Sequence, residues 1–205
     1  MKKNIQLVSM IAIFLIAATG FKTDISPELA IGSAIPKADY KMMDVSGKEV
    51  SLADVKGENG LLVIFSCNTC PYVKLSEARI LEVAALAKKN KIGVIAVNSN
   101  EAQRKDEDSF DEMKKYAESH GYDFSYVVDK NSQLANAFGA THTPHVFLFD
   151  KKGLAYRGAI DDNIKDENDA KEHFLKDAIM AVNAGKTVKT NSSKSIGCSI
   201  KRIEE

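Results

Sequence analysis

The chain has 205 residues, 44% of them apolar and 27% charged, with 28 Lys and Arg against 28 Asp and Glu. That length suits one compact domain with modest extensions, and zero net charge excludes a general nucleic-acid or anionic-membrane binder, since both need a basic surface. Four Pro, 12 Gly and three Cys exclude a collagen-like chain, Pro/Gly-rich disorder and a disulfide-stapled scaffold.

In chain order, Lys2 and Lys3 precede an apolar run from Leu7 to Ala18, and small residues follow through Gly20. This is the order of a secretory signal, so residues 1–20 are read as a leader and the protein as exported, to a periplasmic or other extracytoplasmic space. The alternative is an uncleaved anchor, the one way in which the chain would meet a membrane; the run is short for a span of about 20 residues. Export puts the cysteines where disulfides persist.

Residues 21–38 form a lead-in. Tyr40 to Val45 and Glu49 to Leu52 read as a hairpin turning at Gly47. Leu61-Leu62-Val63-Ile64-Phe65 is a continuous apolar run of strand length, expected at the centre of a sheet. Cys67-Asn68-Thr69-Cys70-Pro71 follows at once, and a helical pattern runs from there to Asn90. Ile92 to Val97 is a second buried strand; Glu107 to His120 is a charged helix; Phe124 to Val128 is strand-like; Ser132 to Phe138 is a short helix stopped by Gly139. Val146 to Phe149 and Leu154 to Arg157 form a second hairpin. Asn168 to Asn183 is the last helix, with Phe174, Leu175, Ala178, Ile179 and Val182 on one face. Strands alternating with helices predict an α/β fold over residues 39–185, with a mixed central sheet flanked by helices and an N-terminal β-hairpin extension. Residues 186–205 are a polar tail that contains Cys198.

Chemistry concentrates at Cys67 and Cys70. Residues three apart at a helix start lie on one face, close enough to bond. A helix N-terminus supplies free N–H groups and positive partial charge, which stabilise a thiolate and lower a thiol pKa from about 8.5. Thiolates carry out thiol–disulfide exchange, so Cys67 is expected to attack and Cys70 to resolve the mixed disulfide. A static disulfide and half of a zinc site are the competing readings, although no second Cys-x-x-Cys completes four thiolates. His142-Thr143-Pro144-His145 precedes a strand, and a Pro there invites either a cis bond or an ordinary turn.

The order of strand, Cys-x-x-Cys on a helix, Thr-Pro before a strand, hairpin and last helix resembles the thioredoxin fold over residues 32–185. The resemblance implies that Thr143 and Pro144, joined in cis, face Cys67 and present backbone to a bound substrate. Cys-Asn-Thr-Cys-Pro-Tyr-Val-Lys at 67–74, Val-Asn-Ser-Asn at 97–100, Thr-Pro-His-Val-Phe-Leu-Phe-Asp at 143–150, Arg-Gly-Ala-Ile-Asp-Asp-Asn at 157–163 and Gly-Cys-Ser-Ile-Lys at 197–201 are similar to the redoxin, or peroxiredoxin-like, branch. That branch implies a thiol–disulfide oxidoreductase, with a protein or small-molecule thiol or disulfide as substrate and an upstream redox partner. It also admits a peroxidase using Cys70. Against a peroxidase, Cys67 stands where those enzymes carry Thr, and no Pro lies in Leu61 to Phe65. The buried acid of thioredoxins is absent too, Leu61 standing in its place, so proton transfer from Cys70 needs another group or water.

Cys198 is read either as an additional redox thiol or as a small apolar anchor for the tail. His142, His145 and the cysteine pair converging would make a copper-handling site, a third function class. Asp161 to Glu172 departs from a calcium loop at Asp166, where Gly is required, and is read as a solvated acidic loop. No phosphate-binding glycine loop or dinucleotide fingerprint is present, and no cofactor is expected.

Overall fold

A computed structural model describes residues 27–203; the leader expected at 1–20 lies outside them. The central sheet has seven strands: β1 (Met42–Asp44), β2 (Glu49–Val50), β3 (Gly60–Ser66), β4 (Ile92–Asn98), β5 (Ser125–Val128), β7 (His145–Phe149) and β8 (Leu154–Gly158). Their spatial order is β2-β1-β5-β4-β3-β7-β8. β3, β4 and β5 run parallel, while β1, β2, β7 and β8 are antiparallel to their neighbours. β3 is the centre of this mixed sheet and is buried along its whole length, as its unbroken apolar run requires. Gly60 opens it at φ +149°, where a Cβ would stand 2.0 Å from the Phe149 carbonyl oxygen. Only glycine allows β3 and β7 to approach there.

Alternate residues of β3 serve different cores. Leu62 and Ile64 pack with Val146, Leu148 and the helices α2 (Pro71–Lys89) and α5 (Phe174–Asn183). Leu61, Val63 and Phe65 pack on the other face with Phe147, Phe149 and α4 (Gln133–Phe138). The N-terminal hairpin caps the far edge through the Met43–Val128 pairing.

Several boundaries differ from the sequence expectation. A short helix, α1 (Leu52–Val55), replaces the end of the hairpin because Ser51 and Asp54 form a capping box. The charged helix α3 (Phe110–Ser119) starts three residues late, since Asp108 turns inward instead of continuing a surface turn. α5 starts six residues late because the preceding loop is held elsewhere. Arg79 of α2, 4% exposed, donates to both Asp161 carboxylate oxygens (2.9 and 2.8 Å) and to the carbonyls of Asn163 and Ile164. The start of the acidic segment is therefore a buried ion pair, not a solvated loop.

The tail adds a second, two-stranded sheet. β6 (His142–Thr143) pairs antiparallel with β9 (Cys198–Ser199), placing Thr143 opposite Cys198. Ile200 is buried among the second core's side chains, and its N–H donates to the Thr141 carbonyl at 3.0 Å.

Candidate active site

Cys67 sits just past β3, and Cys70 is the N-cap of α2 with Pro71 at the first helical position, where a missing N–H costs nothing. Both are buried, at 1% and 2% exposure. The Thr143–Pro144 peptide is cis. Thr143 meets both thiols: its Oγ1 lies 3.4 Å from Cys67 Sγ, and its carbonyl accepts from Cys70 Sγ at 3.1 Å. Cys67, Cys70 and Thr143 thus converge as the sequence implied, with Pro144 next in the chain.

The thiols share a proton. Contact with Cys67 draws Cys70 down to about 4, whereas contact with Cys70, together with burial, pushes Cys67 above the ordinary thiol range. One microstate keeps the proton on Cys67 and leaves a thiolate on Cys70, with the Val73 N–H as a further donor. The other keeps it on Cys70, donated to the Thr143 carbonyl, and leaves the Cys67 sulfur facing the Thr143 hydroxyl. The first ionisation belongs to the pair, and a helix N-terminus alone does not assign it to Cys67.

Beneath the motif lies a polar network that the sequence reading missed. Asp108, fully buried, accepts from the Asn68 N–H (2.9 Å), Asn98 Nδ2 (2.7 Å) and Asn100 Nδ2 (2.9 Å). Tyr126 donates its hydroxyl to Asn68 Oδ1 at 2.9 Å, and Asn68 Nδ2 donates to the Glu107 carbonyl at 2.8 Å. Three partners, Asp108, Glu107 and Tyr126, therefore fix Asn68 between the cysteines. The Asp108 charge opposes ionisation of Cys67. Asn98 and Asn100 were visible as Val-Asn-Ser-Asn, but nothing marked Asp108 among the acids of 101–112.

The histidines do not join the cysteines. His142 exchanges a hydrogen bond with the Thr141 hydroxyl. His145 is buried against Phe147, and its Nε2 lies 3.0 Å from Oε1 of Glu28, whose Oε2 is engaged by Arg157. Among the described residues no three His, Cys, Asp or Glu side chains gather as a metal site, so the alternative two-Cys, two-His convergence does not form. Cys198, in contrast, packs against the core cluster that contains Cys67 and Cys70.

A mixed sheet carrying a dithiol at a helix start, beside a cis Thr-Pro, defines a thioredoxin-like oxidoreductase of the thiol–disulfide class. The Redoxin family profile matches residues 30–173, and the chain belongs to that family. The thiol-disulfide oxidoreductase ResA of Geobacillus kaustophilus is 32% identical over 160 residues, covering 75% of this chain and 86% of that protein. A hypothetical protein from Sinorhizobium meliloti 1021 superposes with a TM-score of 0.79 at 32% identity, over 87% of this chain and 97% of that one. The thioredoxin domain of the thiol-disulfide oxidoreductase BVU-2223 from Bacteroides vulgatus shares the fold at 22% identity, with a TM-score of 0.54 over 67% of this chain and 94% of that one.

Proposed function

We propose that the protein is an exported thiol–disulfide oxidoreductase in which Cys67 and Cys70 are the redox pair. The observation that carries this is the meeting of both sulfurs with one residue, Thr143, at 3.4 and 3.1 Å. In the reducing direction the Cys67 thiolate attacks a substrate disulfide and forms a mixed disulfide. Cys70 then attacks Cys67 Sγ, releases the substrate thiol and closes the Cys67–Cys70 disulfide. Thr143 and Pro144 shape the place where substrate docks. Beside Asn68 and Thr69 an open cleft of about 740 Å³ carries both signs of charge, Lys74 and Lys115 against Glu107 and Glu112, and gives a protein partner a polar footing. An upstream redox partner resets the pair. Export rests on the leader pattern of residues 1–20; among the described residues no helix is long and apolar enough to cross a membrane.

The test is a glutathione redox titration of the mature protein, with alkylation and peptide mass mapping of the cysteines. A reversible Cys67–Cys70 disulfide is expected, and its potential gives the direction of electron flow. Cys67→Ser should abolish turnover of a substrate disulfide through the Cys67–Cys70 pair, and Cys70→Ser should accumulate mixed disulfides. A Cys67–Cys70 pair that never cycles overturns the reading. N-terminal sequencing of the protein from an exported fraction tests the leader, with cleavage near Gly20 expected.

A further inference from the structure

The place where a substrate would meet the Thr143–Pro144 backbone is already filled by the protein's own tail. β9 lies antiparallel to β6 with Cys198 directly opposite Thr143, the residue whose carbonyl contacts Cys70 Sγ at 3.1 Å. Directly opposite residues of an antiparallel pair have Cα atoms about 4.5–5.5 Å apart and side chains on the same face. The seat is built for this strand. A Cβ on Gly197 would stand 2.1 Å from the Thr143 carbonyl oxygen and 3.3 Å from Pro144 N, so only glycine lets the tail come this close. On the far side the Lys201 N–H donates to Asn100 Oδ1 at 2.9 Å, and Arg202 donates to Asn136 Oδ1 (2.8 Å) and the Ala140 carbonyl (2.6 Å). On the near side the Ser193 N–H donates to the Arg157 carbonyl at 3.1 Å. Thus the tail is anchored at both ends, and Cys198 is held over the dithiol.

Exposure then orders the three sulfurs. Cys67 and Cys70 are closed off, whereas Cys198 is partly open to solvent. We propose that Cys198 is a third redox thiol of the same centre, an internal substrate that carries the disulfide from the buried pair to the surface. The inference rests on Cys67–Cys70 being the redox pair. The Cys198 thiolate attacks Cys70 Sγ, the Cys70–Cys198 bond forms, and the Cys67–Cys70 bond breaks. Cys67 leaves as a thiolate and takes up the proton that Cys198 gave up. One disulfide is exchanged for another, so no electrons enter or leave. An external thiol then attacks the exposed Cys198 sulfur, and Cys70 departs.

The electrostatics of the reduced thiols bear on the second step, in which Cys70 departs. Burial and the Cys70 contact push the Cys198 thiol up to about 11, and Cys67 too lies above the ordinary thiol range. Cys70, drawn down by its neighbours, is the better leaving group.

The test uses the mature protein oxidised with oxidised glutathione, quenched by alkylation and mapped by mass. Wild type should yield a Cys70–Cys198 linkage beside Cys67–Cys70, and Cys67→Ser should yield Cys70–Cys198 as its main product. Gly197→Ala, which unseats the strand, should still cycle Cys67–Cys70 while its Cys70–Cys198 yield falls about tenfold through lost proximity. Cys198 fully alkylated in both wild type and Cys67→Ser, with Cys67–Cys70 cycling in wild type, overturns the relay and leaves the redox pair standing. Loss of Cys67–Cys70 cycling in wild type and in Cys198→Ser alike overturns the underlying reading instead.

Discussion

Two buried aspartates show how this fold handles charge. Asp161 and Arg79 neutralise each other, and the guanidinium also takes up three backbone carbonyls. That site ties the loop before α5 to the side of α2, and Asp161 is not among the leading causes of either thiol's shift. Asp108 is more deeply buried and, among the described residues, has no cation on its carboxylate. It is held by neutral donors, the Asn68 N–H and the amides of Asn98 and Asn100. Its charge therefore remains active at short range in a low-dielectric setting. One aspartate is structural because its charge is cancelled. The other fixes the motif loop and also acts on the Cys67 sulfur.

Substitutions can break or sharpen this contrast. Arg79→Met strands Asp161 as an uncompensated buried charge and should cost about 3–5 kcal/mol in urea unfolding. The protein that remains folded should keep the thiol titration of wild type. Asp108→Asn should cost less, about 1–3 kcal/mol, since an amide cannot accept from all three donors. It should also ease the ionisation of Cys67, moving it to lower pH, read as ultraviolet thiolate absorbance across pH. An unchanged titration would remove Asp108 from the chemistry and make the two aspartates equivalent. Tyr126→Phe removes one donor from Asn68 and should cost about 1 kcal/mol, with little movement of the titration because the carboxylate stays.

The Glu28–His145 contact lies between these extremes, a buried imidazole against a half-exposed carboxylate. Burial pushes His145 below its ordinary value of 6.5, and His145 holds Glu28 below 4.5. In both cases the unfolded chain binds protons that the folded chain refuses. Stability is thus full above about pH 6.5 and falls as the pH drops through that value, with a second loss below about 4.5. His145→Asn should flatten the first limb of a stability-against-pH curve, and a curve unchanged by that substitution would show that the imidazole is not held neutral.

Local patterns carried most of the fold. The apolar run of β3, the helix start at Cys70 and the turn at Gly47 each depend on neighbours within a few residues, so periodicity and turn chemistry reveal them. The errors fell where a distant partner overrode the local pattern. Asp108 and Asp161 both sit in acidic stretches that look like solvated surface. Asp108 is drawn inward by Asn68, 40 positions away, and Asp161 by Arg79, 82 positions away. The short β9 was illegible for the same reason, since a two-residue strand has no period of its own.

By itself the sequence determined the redox chemistry on offer: two cysteines one turn apart at the mouth of a buried strand, with a Thr-Pro entering the strand that pairs beside it. Spacing along one helix start is a local property, and it is fixed as soon as that helix forms. Only the tertiary structure decided which groups act on those sulfurs. Asp108 comes under the motif because loop amides need a buried acceptor. Cys198 comes over it because Gly197 lets the tail's backbone lie against Thr143. Contacts of that kind join segments tens of residues apart, and no window along the chain contains both partners.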